Sequence, residues 1–153
     1  MKLFPWQKEK EFFSIEEKAQ LVDTIRIAEQ RTSGEIRLFV ESKCKYVDAM
    51  DRAREVFLSM GMDKTEMRNA TLIYVATDDH QAAILGDSGI HEKVGNEYWE
   101  KEIRKMLLHF RQHHLKDGLC EVIKDLGEAL HHYFPYDSTT DRNELPDEIV
   151  FGR

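Results

Sequence analysis

Apolar positions recur along this chain in two rhythms. Short aliphatic and β-branched runs at Thr71 to Ala76 and Ala82 to Leu85 predict strands near 70–77 and 81–86. Ile36, Leu38, Phe39 and Val40 fill a third strand over 35–42. The other rhythm is helical. Ser14-Ile15-Glu16-Glu17 reads as a capping box and opens a helix. That helix places Ile15, Ala19, Val22, Ile25 and Ala28 near one face and closes around Thr32-Ser33-Gly34. Met50, Ala53, Phe57 and Met60 recur at three and four, predicting a second helix that ends by Gly61. An acidic-glycine corner at Gly86-Asp87 opens another helix. The long helix after it, Tyr98 to His114, buries Trp99, Ile103, Met106, Leu107 and Phe110. Gly118 breaks that pattern, and Leu119, Val122, Ile123, Leu126 and Leu130 predict a final helix stopped by Pro135.

The order is α-β-α-β-β-α-α-α. A helix between the first two strands favours a parallel, right-handed crossover. The link between the second and third is too short for a crossover and predicts an antiparallel hairpin. The fold class that follows is α/β: a three-layer α/β/α sandwich with a small mixed β-sheet. It divides into an N-terminal arm (1–13), a domain (14–135) and an acidic C-terminal tail (136–153). In the tail Pro146 disfavours a central strand, and Ile149-Val150-Phe151 can dock only on an edge.

Composition narrows the classes. A chain of 153 residues that is 41% apolar and 33% charged suits one soluble domain with a continuous core. A net charge of −7 without a Lys/Arg stripe argues against nucleic acid as a partner. No signal-peptide pattern and no apolar run of spanning length is visible, so direct membrane insertion is not expected and the expected location is cytoplasmic. Cys44 and Cys120 lie in apolar-rich elements without a CxxC, and read as buried free thiols.

The topology sorts the carboxylates into two groups. Asp78 and Asp79 sit at the hairpin tip, while Asp87 lies about 25 Å away at the other end of the third strand. These acids cannot share one ion. If the first two strands are parallel, Ser33-Gly34-Glu35 and Thr65, Arg68 and Asn69 gather near Gly86-Asp87-Ser88-Gly89. Asp87 and Glu35, with Asn69 or backbone carbonyls and water, would suit Ca²⁺ or Mg²⁺. Arg68 could instead pair with a carboxylate or hold a phosphate through its fork. The plainer reading has Asp87 capping the helix at Ser88, Glu35 pairing with Arg68, and the glycines turning the chain. At the hairpin tip, Asp78 and Asp79 can relieve the turn by bonding their own backbone. They could also hold a cation with donors from the Cys44–Asp48 loop. His109 and His113 stand four apart but off the buried stripe, with no HExxH, and read as solvated. His131 and His132 suit the negative end of the last helix. No GxGxxG, Walker loop or GxSxG is present.

Several pieces in order resemble the TPM domain family. They are Thr32-Ser33-Gly34-Glu35-Ile36-Arg37, Phe57 to Gly61 with Lys64-Thr65 and Arg68-Asn69, and Leu72-Ile73-Tyr74-Val75-Ala76 with Asp79-His80. Gly86-Asp87-Ser88-Gly89-Ile90, Trp99, Gly118-Leu119 and Gly127 follow, so that the likeness spans about residues 12 to 135. The resemblance implies an α/β/α sandwich and divalent-cation binding. It also implies acid phosphatase activity or a role in photosystem repair or receptor and membrane-complex assembly. Glu35, Arg68, Asn69 and Asp87 match the family pattern as positions. Residues and resemblance together predict a soluble module that binds a divalent cation (Ca²⁺ or Mg²⁺) and acts through an unidentified protein partner. The alternative is a weak metal-assisted acid phosphatase, with Asp87 and Glu35 on the ion and Arg68 on the phosphoryl oxygens. No nucleophile or general acid is placed for it, and whether the chain is an enzyme stays open.

Overall fold

The structure is a computed structural model and describes residues 12–137 and 149–152. The first eleven residues of the arm, and tail residues 138–148 with Pro146 and the acidic Asn143–Glu148 segment, lie outside the described residues. The elements are α1 (Ile15–Glu29), β1 (Glu35–Glu41), α2 (Ala49–Ser59), a 3-10 turn (Met62–Lys64), β2 (Ala70–Ala76), β3 (Gln81–Gly86), α3 (Ser88–Arg111), α4 (Leu115–Tyr133) and β4 (Ile149–Phe151).

Four strands form one sheet in the order β3-β2-β1-β4. β1 and β2 are parallel, with Glu35 opposite Ala70 and Glu41 opposite Ala76. β2 and β3 form the expected antiparallel hairpin, pairing Thr71 with Gly86 and Ala76 with Gln81. β4 docks on the outer edge of β1, with Leu38 opposite Ile149. Phe12 stacks on Phe151 at 6.0 Å and Phe13 is buried, which pins that edge.

The pleat sends alternate residues into two cores. Ile36, Leu38, Val40, Ile73, Val75 and Ile84 face α1, α3 and α4. Phe39, Leu72, Tyr74 and Ala83 face α2 and Met62. Both faces are covered, so all seven residues of β1 and of β2 are buried. No described helix is long and apolar enough to cross a membrane.

Four local expectations change. In α1 the buried positions are Leu21 and Ile25, whereas Ile15 is 81% exposed, because α1 leans on α4 through its other side. α3 joins the two helices expected after β3, with the break between them at Gly95, whose φ of 78° and ψ of 171° are non-helical. It ends at Arg111, and His113 lies beyond it in a left-handed conformation (φ 60°), so His109 and His113 share no helical face. His109 is half-buried, with Nε2 2.8 Å from Glu121, and is not a solvated residue. Gly118 lies inside α4, where the missing side chain leaves room for His109.

Both cysteines are free, Cys120 buried and Cys44 half-buried.

Candidate functional site

Parallel pairing of β1 with β2 brings the two glycine corners together, as the sequence predicts. Glu35 stands opposite Ala70, and the Asp87 amide donates to the Ala70 carbonyl at 2.9 Å. Asn69 Nδ2 donates to Ser33 Oγ at 3.1 Å and ties the β1 corner to the β2 corner. Gly89 N–H donates to the Arg68 carbonyl at 2.8 Å. A Cβ on Gly89 would sit 2.3 Å from the Met67 oxygen, so only glycine permits this approach.

Asp87 is buried and caps α3. Its Oδ1 accepts from the Ser88 amide at 2.7 Å. Arg68 closes on the same carboxylate from outside, Nε to Oδ2 at 2.6 Å and Nη2 to Oδ1 at 2.8 Å. The guanidinium is held above its usual range by this hydrogen bond and by the carboxylate's charge. Arg68 reaches the position from a left-handed backbone (φ 52°).

Glu35 has a different partner from the one expected. Arg37 Nη2 approaches its Oε1 at 3.4 Å, and Arg37 Nη1 also donates to Glu29 Oε2 at 2.8 Å. Glu35 and Asp87 flank β2 from either side, roughly 10 Å apart at two strand spacings. In this structure Asp87 is held by Arg68 and Glu35 is approached by Arg37, so a cation shared by the two carboxylates would have to compete with Arg68. Among the described residues no group of three or more His, Cys, Asp or Glu is placed to hold a metal. A phosphate meets the same obstacle, because the Arg68 fork and the Ser88 amide are both taken by Asp87.

The opposite end of the sheet lies beyond the C-terminal ends of β1 and β2, where open α/β sheets bind ligands. Asp78 and Asp79 are exposed there. Asp79 Oδ2 accepts the Cys44 amide at 2.7 Å, and the Asp78 amide donates to the Ser42 carbonyl at 2.7 Å. The 42–48 loop thus meets the hairpin tip, as its position after β1 implies. Asp48 caps α2 through the Met50 amide at 2.9 Å. His80, also left-handed, stacks on Phe110 at 5.0 Å.

Behind this tip is a charged network that sequence patterning missed. Arg52 donates to Glu41 from Nε at 2.9 Å and from Nη2 at 3.0 Å, and Tyr74 donates its hydroxyl to the same carboxylate. Glu55 accepts from Arg52 and from Tyr46, and Lys45 stands 3.0 Å from it. Its carboxyl is held down to about 2, first by the Tyr46 hydroxyl and then by Lys45. Burial, then Glu41, pushes the Tyr74 hydroxyl up. The signal in the sequence was Glu41 closing β1 straight after the apolar run Leu38-Phe39-Val40.

The TPM domain family matches residues 7–129 of this chain. The chain is similar to the BA42 protein of the psychrophilic bacterium Bizionia argentinensis, an NMR structure. That match has 41% identity and a TM-score of 0.84, and covers 95% of this chain and 99% of the other. It is similar in fold to the N-terminal domain of a protein from P. gingivalis, at 15% identity and a TM-score of 0.63 over 82% of this chain and 83% of that one. The N-terminal domain of the cg2496 protein of Corynebacterium glutamicum gives 12% identity and a TM-score of 0.57 over 96% and 93%. No curated protein matches.

Proposed function

This chain belongs to the TPM domain family, and we propose that it acts as a binding module: it takes a divalent cation at the hairpin tip and engages a protein partner. One observation carries the cation's place. Asp78 and Asp79 are exposed on a tip already joined to the 42–48 loop, whereas Asp87 is committed to Arg68. Exposed carboxylates with neighbouring backbone carbonyls are the hard oxygen donors that Ca²⁺ or Mg²⁺ prefers, and so few of them give modest affinity. The cation would stiffen the two loops together. Phosphatase chemistry has less support, since the arginine best placed for phosphoryl oxygens is saturated by its own carboxylate.

Metal-titrated NMR of the wild type, Asp79→Ala and Asp87→Ala tests the reading. Ca²⁺ or Mg²⁺ is expected to move the amides of 42–48 and 78–80, and Asp79→Ala to abolish the effect. Silence of every loop resonance at millimolar cation ends the cation reading. Loss of response in Asp87→Ala alone returns the ion to the opposite corner.

A further inference from the structure

A cavity of about 400 Å³ opens beside β3, with residues of α2 on one wall and of α3 on the other. Small-molecule sites typically enclose about 300–1,000 Å³. Met50 of α2 and Leu85 of β3, both half-buried, give the cavity apolar surface, and the buried Trp99 ring adds a flat piece of it. Trp99 is fixed on two sides. Its ring packs over Gly86 so closely that a Cβ there would lie 2.3 Å away, and its indole N–H donates to His91 Nδ1 at 3.0 Å.

The second contact decides what His91 can offer. An indole N–H is only a donor, so Nδ1 must accept and the imidazole proton sits on Nε2. The exposed His91 therefore brings an N–H rather than a lone pair to the cavity, which suits an oxygen acceptor and not a metal ion. Arg54 on the α2 wall is the one cation among the described lining residues, and Glu100 on the α3 wall is the one anion. Ser88 and Asn96 add neutral groups. The contact Arg54 already makes, 3.2 Å to Asp51, is an exposed pair, 60% and 59% accessible, and exchanges readily.

We propose that this cavity binds a small monocarboxylic acid with a flat apolar body, its carboxylate taken by Arg54 with the His91 Nε2–H as second donor. A guanidinium fork matches the two oxygens of a carboxylate. Trp99, Leu85 and Met50 take the body out of water, which supplies the rest of the affinity. Glu100 sets the charge. With an acid already in the lining, one negative charge on the ligand is balanced by Arg54 and a second is repelled. A phosphomonoester, close to doubly charged at neutral pH, is therefore the poorer guest. The cavity shares no residue with the hairpin tip, and the inference goes beyond the cation-and-partner reading without resting on it.

The test is NMR titration of the full chain, in EDTA at neutral pH, with 3-phenylpropionate, its amide and phenyl phosphate. The acid is expected to shift the Trp99 indole and the His91 amide saturably, with a Kd of about 1 mM. The amide should bind about tenfold more weakly, since it loses the charge-assisted contact. Phenyl phosphate should bind about threefold more weakly than the acid, and Glu100→Gln should remove that difference. Arg54→Gln, at an exposed position that leaves the fold intact, should weaken the acid about tenfold and leave the amide unchanged. Acetyl-Gly-Gly-Phe carries the same carboxylate and ring on a peptide end, and tighter binding of it than of the free acid overturns the small-molecule assignment. Unmoved resonances at tens of millimolar acid, equal affinity for acid and amide, or undiminished binding in Arg54→Gln overturns the proposal.

Discussion

Arg68 and Asp87 face each other through two parallel contacts, at 2.6 and 2.8 Å, across the gap between the β2 corner and the start of α3. The carboxylate is 6% exposed and the arginine side chain 50%, so the pair is a buried acid covered by a cation from outside. One carboxylate thereby caps a helix and fixes a loop. Asp87→Ala removes both functions and is expected to cost about 1–2 kcal/mol, read from urea midpoints. Asp87→Asn keeps a cap acceptor and should cost less. Equal losses in the two variants would show that the cap contributes nothing.

Gly86→Ala and Gly89→Ala separate two kinds of crowding. At Gly86 the obstacle is the Trp99 side chain, which can shift, at a cost of about 1–3 kcal/mol and with a red-shifted tryptophan emission. At Gly89 it is the backbone oxygens of Met67 and Arg68, at 2.3 and 2.6 Å, which cannot move without opening the corner. Gly89→Ala should be the more destabilising in a thermal melt, with emission unchanged.

Glu41→Ala strips Arg52 and the buried Tyr74 hydroxyl of a common acceptor. A loss of roughly 3 kcal/mol is expected in denaturant unfolding. Tyr74→Phe removes a single bond and should cost about 1 kcal/mol.

Glu102 supplies a pH dependence. It is buried between α3 and α4, with Asp125, Lys105 and Tyr98 around it. Burial first, then the Asp125 carboxyl, raises its pKa from 4.5 to about 7, against the pull of Lys105. The folded state therefore holds this proton more tightly than the unfolded one. Stability should fall as pH rises from about 5 through about 7, by on the order of 2 kcal/mol. Glu102→Gln should flatten that slope in melts taken across the range. An unchanged slope would place the proton elsewhere.

Much of the fold was legible because strand order follows from link length: a helix between β1 and β2, a tight turn between β2 and β3. β4 was confined to an edge by Pro146 just before it, which disfavours a central strand. The site was harder. The sequence gathers Glu35, Arg68, Asn69 and Asp87 at one corner but does not say which carboxylate the arginine chooses. That choice depends on Arg68 taking a left-handed backbone and on Arg37 claiming Glu35 from within its own strand. The Glu41–Arg52–Tyr74 network was hidden for a related reason. Alternation along β1 reads as a half-wet strand, whereas α2 closes over the polar face and turns charge into core.

The break at Gly95 falls in one wall of the cavity of about 400 Å³ beside β3, between His91 and Asn96. Its backbone combines φ 78° with ψ 171°, a region that side-chain-bearing residues avoid, although nothing within 4 Å would obstruct a Cβ. His91 lies before the break and Trp99 after it, and their hydrogen bond spans it like a latch across a hinge. The wall that carries His91, Asn96 and Glu100 therefore bends at Gly95, and a residue that disfavours this backbone is expected to disturb the indole–imidazole bond. The course of that wall turns on a single glycine that does not itself line the cavity.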